Sequence, residues 1–467
     1  MSGGDFGSVS AALASVDPGP DNPLVIEVLP GTYVENIVMK SYVHLRGSGR
    51  EVTTIKAADP KFPVVLCDNV VNVAFSGLAF AGGIAGILNI NSAPTVDRNI
   101  FTLNGDGILN KQNSGAIITQ NVLVGNTLNG IKNETSDSVI LENAILNNLQ
   151  NGVHNDHSSP VMVTNLINKN GANGVFNQSA NPTIASCRIT DNAGNGVANE
   201  SSDPEIVTSV IRSNGSNGIS NQASSPTIGG CVISGNSGNG IKNINQSHPP
   251  VVSCRIEKNG INGIQNVNSN PTVSTCRINE NAQNGVENES SEPEIVSSQI
   301  VLNGLNGIRN HASSPTVGTC VISRNVESGI DNIDQSSPPV VSCRIEKNGS
   351  DGIRNRNLSN PAVFSSGILS NEVHGISNDL SSPQIQGSAI AFNAQNGIHN
   401  VNQSSPQILA NTIAGNAAGS GIYNDLSSPQ VQSNVIAYNG LDGLGNVNQS
   451  NPSVVGNTIA GNLNDGI

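Results

Sequence analysis

The strongest constraint in this sequence is a phrase that returns from Gly86 to the last residue. One copy runs from Gly196 to Asn217: Gly-Val-Ala-Asn, then Ser-Ser-Asp-Pro-Glu-Ile, then Val-Ile-Arg-Ser-Asn, then Gly-Ser-Asn, after which Gly218 and Ile219 begin it again. Seventeen steps separate the first anchor glycine, Gly86, from the last, Gly466, so the mean period is about 22 residues. A fixed period in this range is the mark of a repeat architecture. The unit is too short for two helices with their turns, but it holds three short strands and three turns. In the copy anchored at Gly174 the aliphatic positions are Val175, Ile184 and Ile189, one or two per strand, as expected when one face of each strand is buried. Stacked coils pair their strands in parallel, and parallel crossovers are right-handed in nearly all proteins. With strands ~4.8 Å apart the regular repeats predict a rod ~80 Å long.

The length of 467 residues would by itself suggest about three globular domains. A solenoid overrides that expectation, because it lengthens by adding units to one continuous core. The chain is read as one solenoid domain: an N-terminal cap and first irregular coils over 1–85, continuous with regular repeats over 86–467. Residues 5–16 are expected to form a short helix, capped by Asp5 or Ser8, with Phe6, Val9, Ala12, Leu13 and Val16 on one face. Short apolar runs at Leu24–Leu29, Tyr33–Met39, Tyr42–Leu45 and Thr53–Ile55 read as strands.

Two asparagines recur in each unit. One follows the anchor glycine by three residues (Asn133, Asn155, Asn177) and the other precedes the next anchor by four (Asn126, Asn148, Asn170). Both are expected at sharp corners, since Asn tolerates the left-handed conformation, with hydrogen-bonded ladders between stacked side chains as a second contribution. The proline of each unit is expected to open a strand, where a missing N–H costs nothing. Six of the seven cysteines (Cys187, Cys231, Cys254, Cys276, Cys320, Cys343) share one place in the phrase. They read as a column of small buried thiols packing like Ala or Val.

The stretches FGSVSAALASV, VIEVLPGTYVENIVMKSYVHLRGSG and TTIKA resemble the N-terminal coil of right-handed parallel β-helix proteins of the pectin-lyase-like class. VVNVAFSGLAFAGG (Val70–Gly83) is similar to the coil that follows there, and the chain from Gly86 on is similar to generic parallel β-helix repeats. The resemblance implies an all-β, single-stranded right-handed parallel β-helix with a short capping helix. It also implies a setting outside the cell or on its surface, although Met1–Asp17 has neither the basic start nor the apolar core of a signal peptide. Enzymes of this class usually act on acidic polysaccharides.

The motifs of such enzymes are mostly missing. There is no Asp-Asp, no Gly-His-Gly and no Asp-Pro-His-Asp, and Asp97, Arg98 and Asp106 lack the surroundings of an esterase site. A calcium-assisted lyase needs carboxylates for the ion beside a basic Arg. Stacking at a 22-residue period supplies one candidate: Glu287, Arg309, Asp331 and Arg354 form an outward column, and Glu289, His311 and Arg356 lie two positions further on. Glu287, Glu289 and Asp331 would be the oxygen ligands of calcium, and Arg309 or Arg354 the base or substrate clamp. The other reading is a solvated ladder of alternating charge, and no metal or other cofactor. A second acidic strip, Glu134, Asp156 and Glu200 with Asp137 and Asp203, offers weak cation binding or, again, a solvated face.

The net charge of −13 argues against nucleic acid as a partner. No apolar run is long enough for a membrane span. Aromatics make up 3% of the chain and Trp is missing, whereas sugar grooves usually present such platforms. Blocks of coils are also copied: PPVVSCRIEKNG at Pro249 returns unchanged at Pro338. Copying duplicates any site, and a catalytic centre is normally needed once. The phrase ends mid-unit at Ile467, so the chain is expected either to continue or to dock there on a partner. The favoured function is a non-catalytic scaffold or spacer presenting an extended face to a protein or glycan. The alternative is a polysaccharide lyase or glycoside hydrolase, with calcium as its possible cofactor.

Overall fold

The structure, a computed structural model, describes residues 4–467. The first residues of the segment read for a leader, Met1–Gly3, lie outside them. The described residues form 59 strands and one helix, in two compact units, Met1–Val232 and Ile233–Ile467.

Both units repeat one coil of three strands, all paired in parallel with the coils before and after. In the first unit, Val139–Leu141, Ala144–Leu146 and Val153–Asp156 make one coil, and each pairs residue for residue with its counterpart 22 positions on, as in Val139↔Val161, Ala144↔Leu166 and Val153↔Val175. In the second unit, Thr272–Ser274, Arg277–Asn279 and Val286–Glu289 do the same. We call these the first, second and third faces. The middle residue of the first two faces and the first of the third are aliphatic and fully buried, as Val175, Ile184 and Ile189 illustrate. Proline stands just before the first face or opens it, as expected: Pro250 and Pro339 are the first residues of their strands. At the N-terminus the helix spans Val9–Ser15 and Ser8 is its cap. Val9, Ala12 and Leu13 are buried, whereas Phe6 stays exposed.

The asparagines form the expected ladders but do not take the left-handed conformation. The first set lies on the inner side of the third face, and the second lies in the turn between the second and third faces with its side chains buried. Asn133, Asn155 and Asn177 are fully buried on the inner side of the third face, and each donates its Nδ2 to the Oδ1 of the next at 2.8–2.9 Å. Asn281, Asn303 and Asn325 form a second buried ladder, in which backbone N–H and side-chain Nδ2 both donate to the following Oδ1. Burial of an amide is tolerable only when its polar atoms find partners, and the neighbouring coil supplies them along both ladders, apart from the Asn89 Oδ1 at the first rung of the inner one.

The left-handed corners belong to other residues. In the coil after Gly130 they are Thr135, Glu142 and Asn147, with φ of 48°, 55° and 52°. The anchor glycines do not turn corners either. A Cβ on Gly285 would stand 2.4 Å from Ile300 Cγ2 and 2.6 Å from the Gly307 carbonyl oxygen. Glycine is required there because the next coil passes too close for a side chain.

The cysteine column also does more than fill space. It shares its position with Asn121, Asn143, Ser209 and Ser298, which donate to carbonyls of the first-face strands. The Cys276 thiol likewise reaches the carbonyls of Val251 and Ser274 at 3.3 Å. All seven cysteines are buried.

Candidate functional site

On the third face of the second unit, the residue two past each anchor points away from the core, and strand register stacks Glu287 on Arg309, Arg309 on Asp331 and Asp331 on Arg354. The column is partly sunk in the surface, not fully solvated. The side chain of Asp331 is 6% exposed and that of Glu287 14%. Arg309 Nη1 contacts Glu287 Oε1 at 2.9 Å, and its Nε lies 3.9 Å from Asp331 Oδ2. The main partner of Asp331 is Arg356, whose Nη2 lies 2.9 and 2.7 Å from its two oxygens. The Arg356 side chain thus reaches diagonally back across the strand pair, and Arg354, stacked directly on Asp331, is left exposed. Burial raises the Glu287 carboxyl, and Arg309 opposes that shift.

The sequence-based calcium set is not assembled. Asp331 is engaged by Arg356 on both oxygens, Glu287 faces Arg309, and Glu289 lies exposed. His311 turns to Asp334, Nε2 to Oδ2 2.9 Å. Among the described residues no group of three or more His, Cys, Asp or Glu is placed to hold a metal ion. In the strip of the first unit Glu134 and Asp156 stack in register, but each already has a partner. Glu134 stands between Lys132 at 2.6 Å and Lys111 at 3.0 Å; burial raises its pKa, but the two lysines outweigh this and hold it below the usual range. Asp156 pairs with His157 at 2.6 Å, Glu200 is exposed, and Asp137 accepts the Ser159 N–H. Asp97 pairs with Arg98, and Asp106 is buried and takes the Asn129 N–H.

Two residues next to the charged column were missed in the sequence. The position just before each anchor carries a third ladder, in which Asn284 N–H donates to Asn262 Oδ1 and Asn306 N–H to Asn284 Oδ1. Asp351 and His374 occupy that position in two successive coils. Asp351 is buried and accepts the His374 N–H at 3.0 Å. Burial raises it to about 6, against the pull of that hydrogen bond and of Arg354. His374 is pushed down to about 3 by burial and by the neighbouring His399. Its ring stacks on His399 at 4.3 Å, and His399 stacks on Tyr423 at 5.4 Å. The signal available in the sequence was the departure from Asn in an otherwise Asn-rich column.

Both substitutions cost stability where Asn would not. The raised Asp351 favours the fold below its ordinary value of 3.8, and that advantage is lost as pH rises to about 6. The lowered His374 works the other way: its contribution is present above 6.5 and is lost as pH falls toward about 3. Asp351→Asn is therefore expected to raise stability at pH 7 by ~3 kcal/mol, the value of about two pH units, and His374→Asn to flatten the loss on the acid side. Denaturant midpoints measured from pH 3 to 8 check both, and unchanged profiles would contradict the assignment. Groups held at such a cost are candidates for a functional site.

The chain is a right-handed parallel β-helix protein. Residues 175–318 match the family model of the right-handed beta helix region, and residues 29–179 that of the periplasmic copper-binding protein NosD. Within 29–179 the side chains do not converge on a copper ion: Cys67 is buried, His154 packs on Phe176, and His157 faces Asp156. No curated relative matches the sequence.

Among solved structures, the β-helix is similar to the periplasmic alginate epimerase AlgG, at 12% identity over 72% of this chain and 78% of that one, TM-score 0.36. It is similar to a mutant of the PL6 family alginate lyase AlyGC, at 10% identity over 97% and 96%, TM-score 0.41. It is also similar to the catalytic domain of the GH87 alpha-1,3-glucanase in complex with nigerose, at 11% identity over 78% and 66%, TM-score 0.28.

Proposed function

We propose that this β-helix is a non-catalytic scaffold whose third face, in the Ile233–Ile467 unit, is presented to an extended protein or glycan partner. The observation that carries the reading is the pairing within the charged column. Asp331 and Glu287 are already engaged by Arg356 and Arg309, so their oxygens are turned to guanidinium groups and not to a common cation. The turns agree with it. The longest connection between strands of this unit runs only from Gly415 to Gly421, and function in β-rich folds tends to be built in longer loops. We place the protein outside the cytoplasm or on the cell surface, a reading supported by its match to a periplasmic family model.

One observation favours an enzymatic reading on the same face. Asp351, raised to about 6 and lying near Arg354, has the properties of a general acid or base at neutral pH. On that reading the substrate would be an acidic polysaccharide. A single experiment separates the two: release of uronate products from a panel of acidic polysaccharides, with and without calcium, by the unchanged chain and by Asp351→Asn and Asp331→Ala. The scaffold reading expects no release by any of the three. Release that Asp351→Asn abolishes would overturn it.

A further inference from the structure

The last coils of the second unit carry a feature unrelated to the charged column. The second-face strands Ala389–Ala391, Thr412–Ala414, Val435–Ala437 and Thr458–Ala460 stack in register. Each is followed by one left-handed residue, in the order Phe392, Gly415, Tyr438, Gly461, with φ of 60°, 65°, 57° and 63°. Aromatic and glycine alternate for a steric reason. A Cβ on Gly415 would stand 2.9 Å from Phe392 Cδ1 and Cε1, and a Cβ on Gly461 2.7 Å from Tyr438 Cε1. Each ring therefore lies across the glycine of the next coil, one side against the backbone and the other in water. Phe392 is 66% exposed and Tyr438 75%, in a protein with few aromatics and in a backbone conformation that favours glycine. Packing on the next glycine covers one side of each ring and leaves the other unaccounted for.

Charge narrows what they meet. Earlier second-face strands of this unit carry ion pairs, Arg255–Glu257 and Arg344–Glu346. From Leu380 to Leu441 the only Asp, Glu, Lys, Arg or His side chains are His399 and Asp425, both on the third face, and Asp442 follows in the turn after Tyr438. The second face of these coils is sparsely charged and suits an uncharged partner. Thr412 and Thr458 lie exposed on the second face of the glycine-bearing coils, with hydroxyls to share. Coils ~4.8 Å apart place rings two coils apart at ~9.6 Å along the axis, the advance of every second sugar in an extended β-1,4-linked chain. The exposed side of an aromatic ring is a natural seat for the C–H face of a pyranose.

We propose that Phe392 and Tyr438 form a binding strip for an uncharged, extended β-1,4-linked polysaccharide lying along the coil stack. The test is affinity electrophoresis of the full chain through gels holding hydroxyethylcellulose, glucomannan or xylan, beside gels holding polygalacturonate or alginate. Retardation is expected in at least one neutral glycan and is expected to persist when salt is raised. Phe392→Ala or Tyr438→Ala alone is expected to weaken it roughly tenfold, and the double variant to abolish it. Tyr438→Phe, which keeps the ring, is expected to retain it, so a loss in the alanine variants through misfolding is recognised by comparing their melting curves with this variant. Free migration of the unchanged chain in every neutral gel, retention only by acidic glycans, or a double variant that binds like the unchanged chain would each overturn the proposal. This strip is separate from the scaffold reading. Retention together with cleavage of the neutral glycan would sink the scaffold and leave the strip standing.

Discussion

Gly285→Ala is expected to destabilise the Ile233–Ile467 unit by roughly 3 kcal/mol or more, at or above the upper end of overpacking costs. The added methyl group would meet Ile300 Cγ2 at 2.4 Å, the Gly307 carbonyl oxygen at 2.6 Å and Asn303 Nδ2 at 2.8 Å. None of the three can give way cheaply. The carbonyl belongs to the next coil's backbone, Ile300 is fully buried, and Asn303 is tied into its ladder. Gly318→Ala is the matched control. Its Cβ would find only Val296 Cγ1, at 3.5 Å, so that change is expected to be neutral or to stabilise by about 0.5 kcal/mol through the unfolded chain. Denaturant unfolding of the pair, with hydrogen exchange to locate the loss, measures the contrast. Equal effects would remove close coil approach as the reason for the anchor glycine.

Asn310→Asp is the second large effect, and its sign depends on pH. Asn310 receives the Nδ2 of Asn288 and donates to Asn332 Oδ1, at 2.8 and 2.7 Å, with no exposure to water. An ionised carboxylate there loses the donor, faces an acceptor and is buried without a counter-charge, at a cost of ~3–5 kcal/mol. Its folded pKa is therefore raised. Stability is retained below the ordinary carboxyl value, where a protonated acid still donates to Asn332, and falls as pH rises through neutrality. Thermal melts at pH 3.5 and pH 7.5 are expected to show the variant close to the unchanged chain in acid and far below it at neutral pH. A deficit of equal size at both values would show that shape, not charge, is what the ladder requires.

Much of the coil was legible because a period is a statement about stacking. Once the repeat is counted, Val175, Ile184 and Ile189 must share an interior, Pro must precede a strand, and Glu287, Arg309, Asp331 and Arg354 must share a column. What a single phrase does not disclose is who satisfies a buried polar group, because the partner sits in a different copy. Asn133 looks like a corner residue until Asn155 is placed against it. The anchor glycine looks like a turn until the next coil is seen passing through the space of its missing side chain. Arg356 was legible as a member of the patch but not as the partner of Asp331, because it sits two positions beyond the residue in direct register, and only its length brings it there. Asp351 and His374 were hidden by the opposite habit. Reading for motifs passes over single departures from a column, and those departures carry the perturbed groups.

The inner Asn ladder has one more property. Along the column each amide after the first donates toward the later coil and accepts from the earlier one, as from Asn266 through Asn288, Asn310, Asn332 and Asn355 in the second unit. In a parallel sheet the backbone N–H groups point both ways along the stack, so their dipoles largely offset one another. The side-chain amides do not offset. Turning one of them over would set nitrogen against nitrogen on one side and oxygen against oxygen on the other. The orientation chosen at one coil is therefore imposed on the next, and the column can reverse only as a whole. It behaves like a polarised wire with two settings, in which the sense of a single amide is remembered along its entire length.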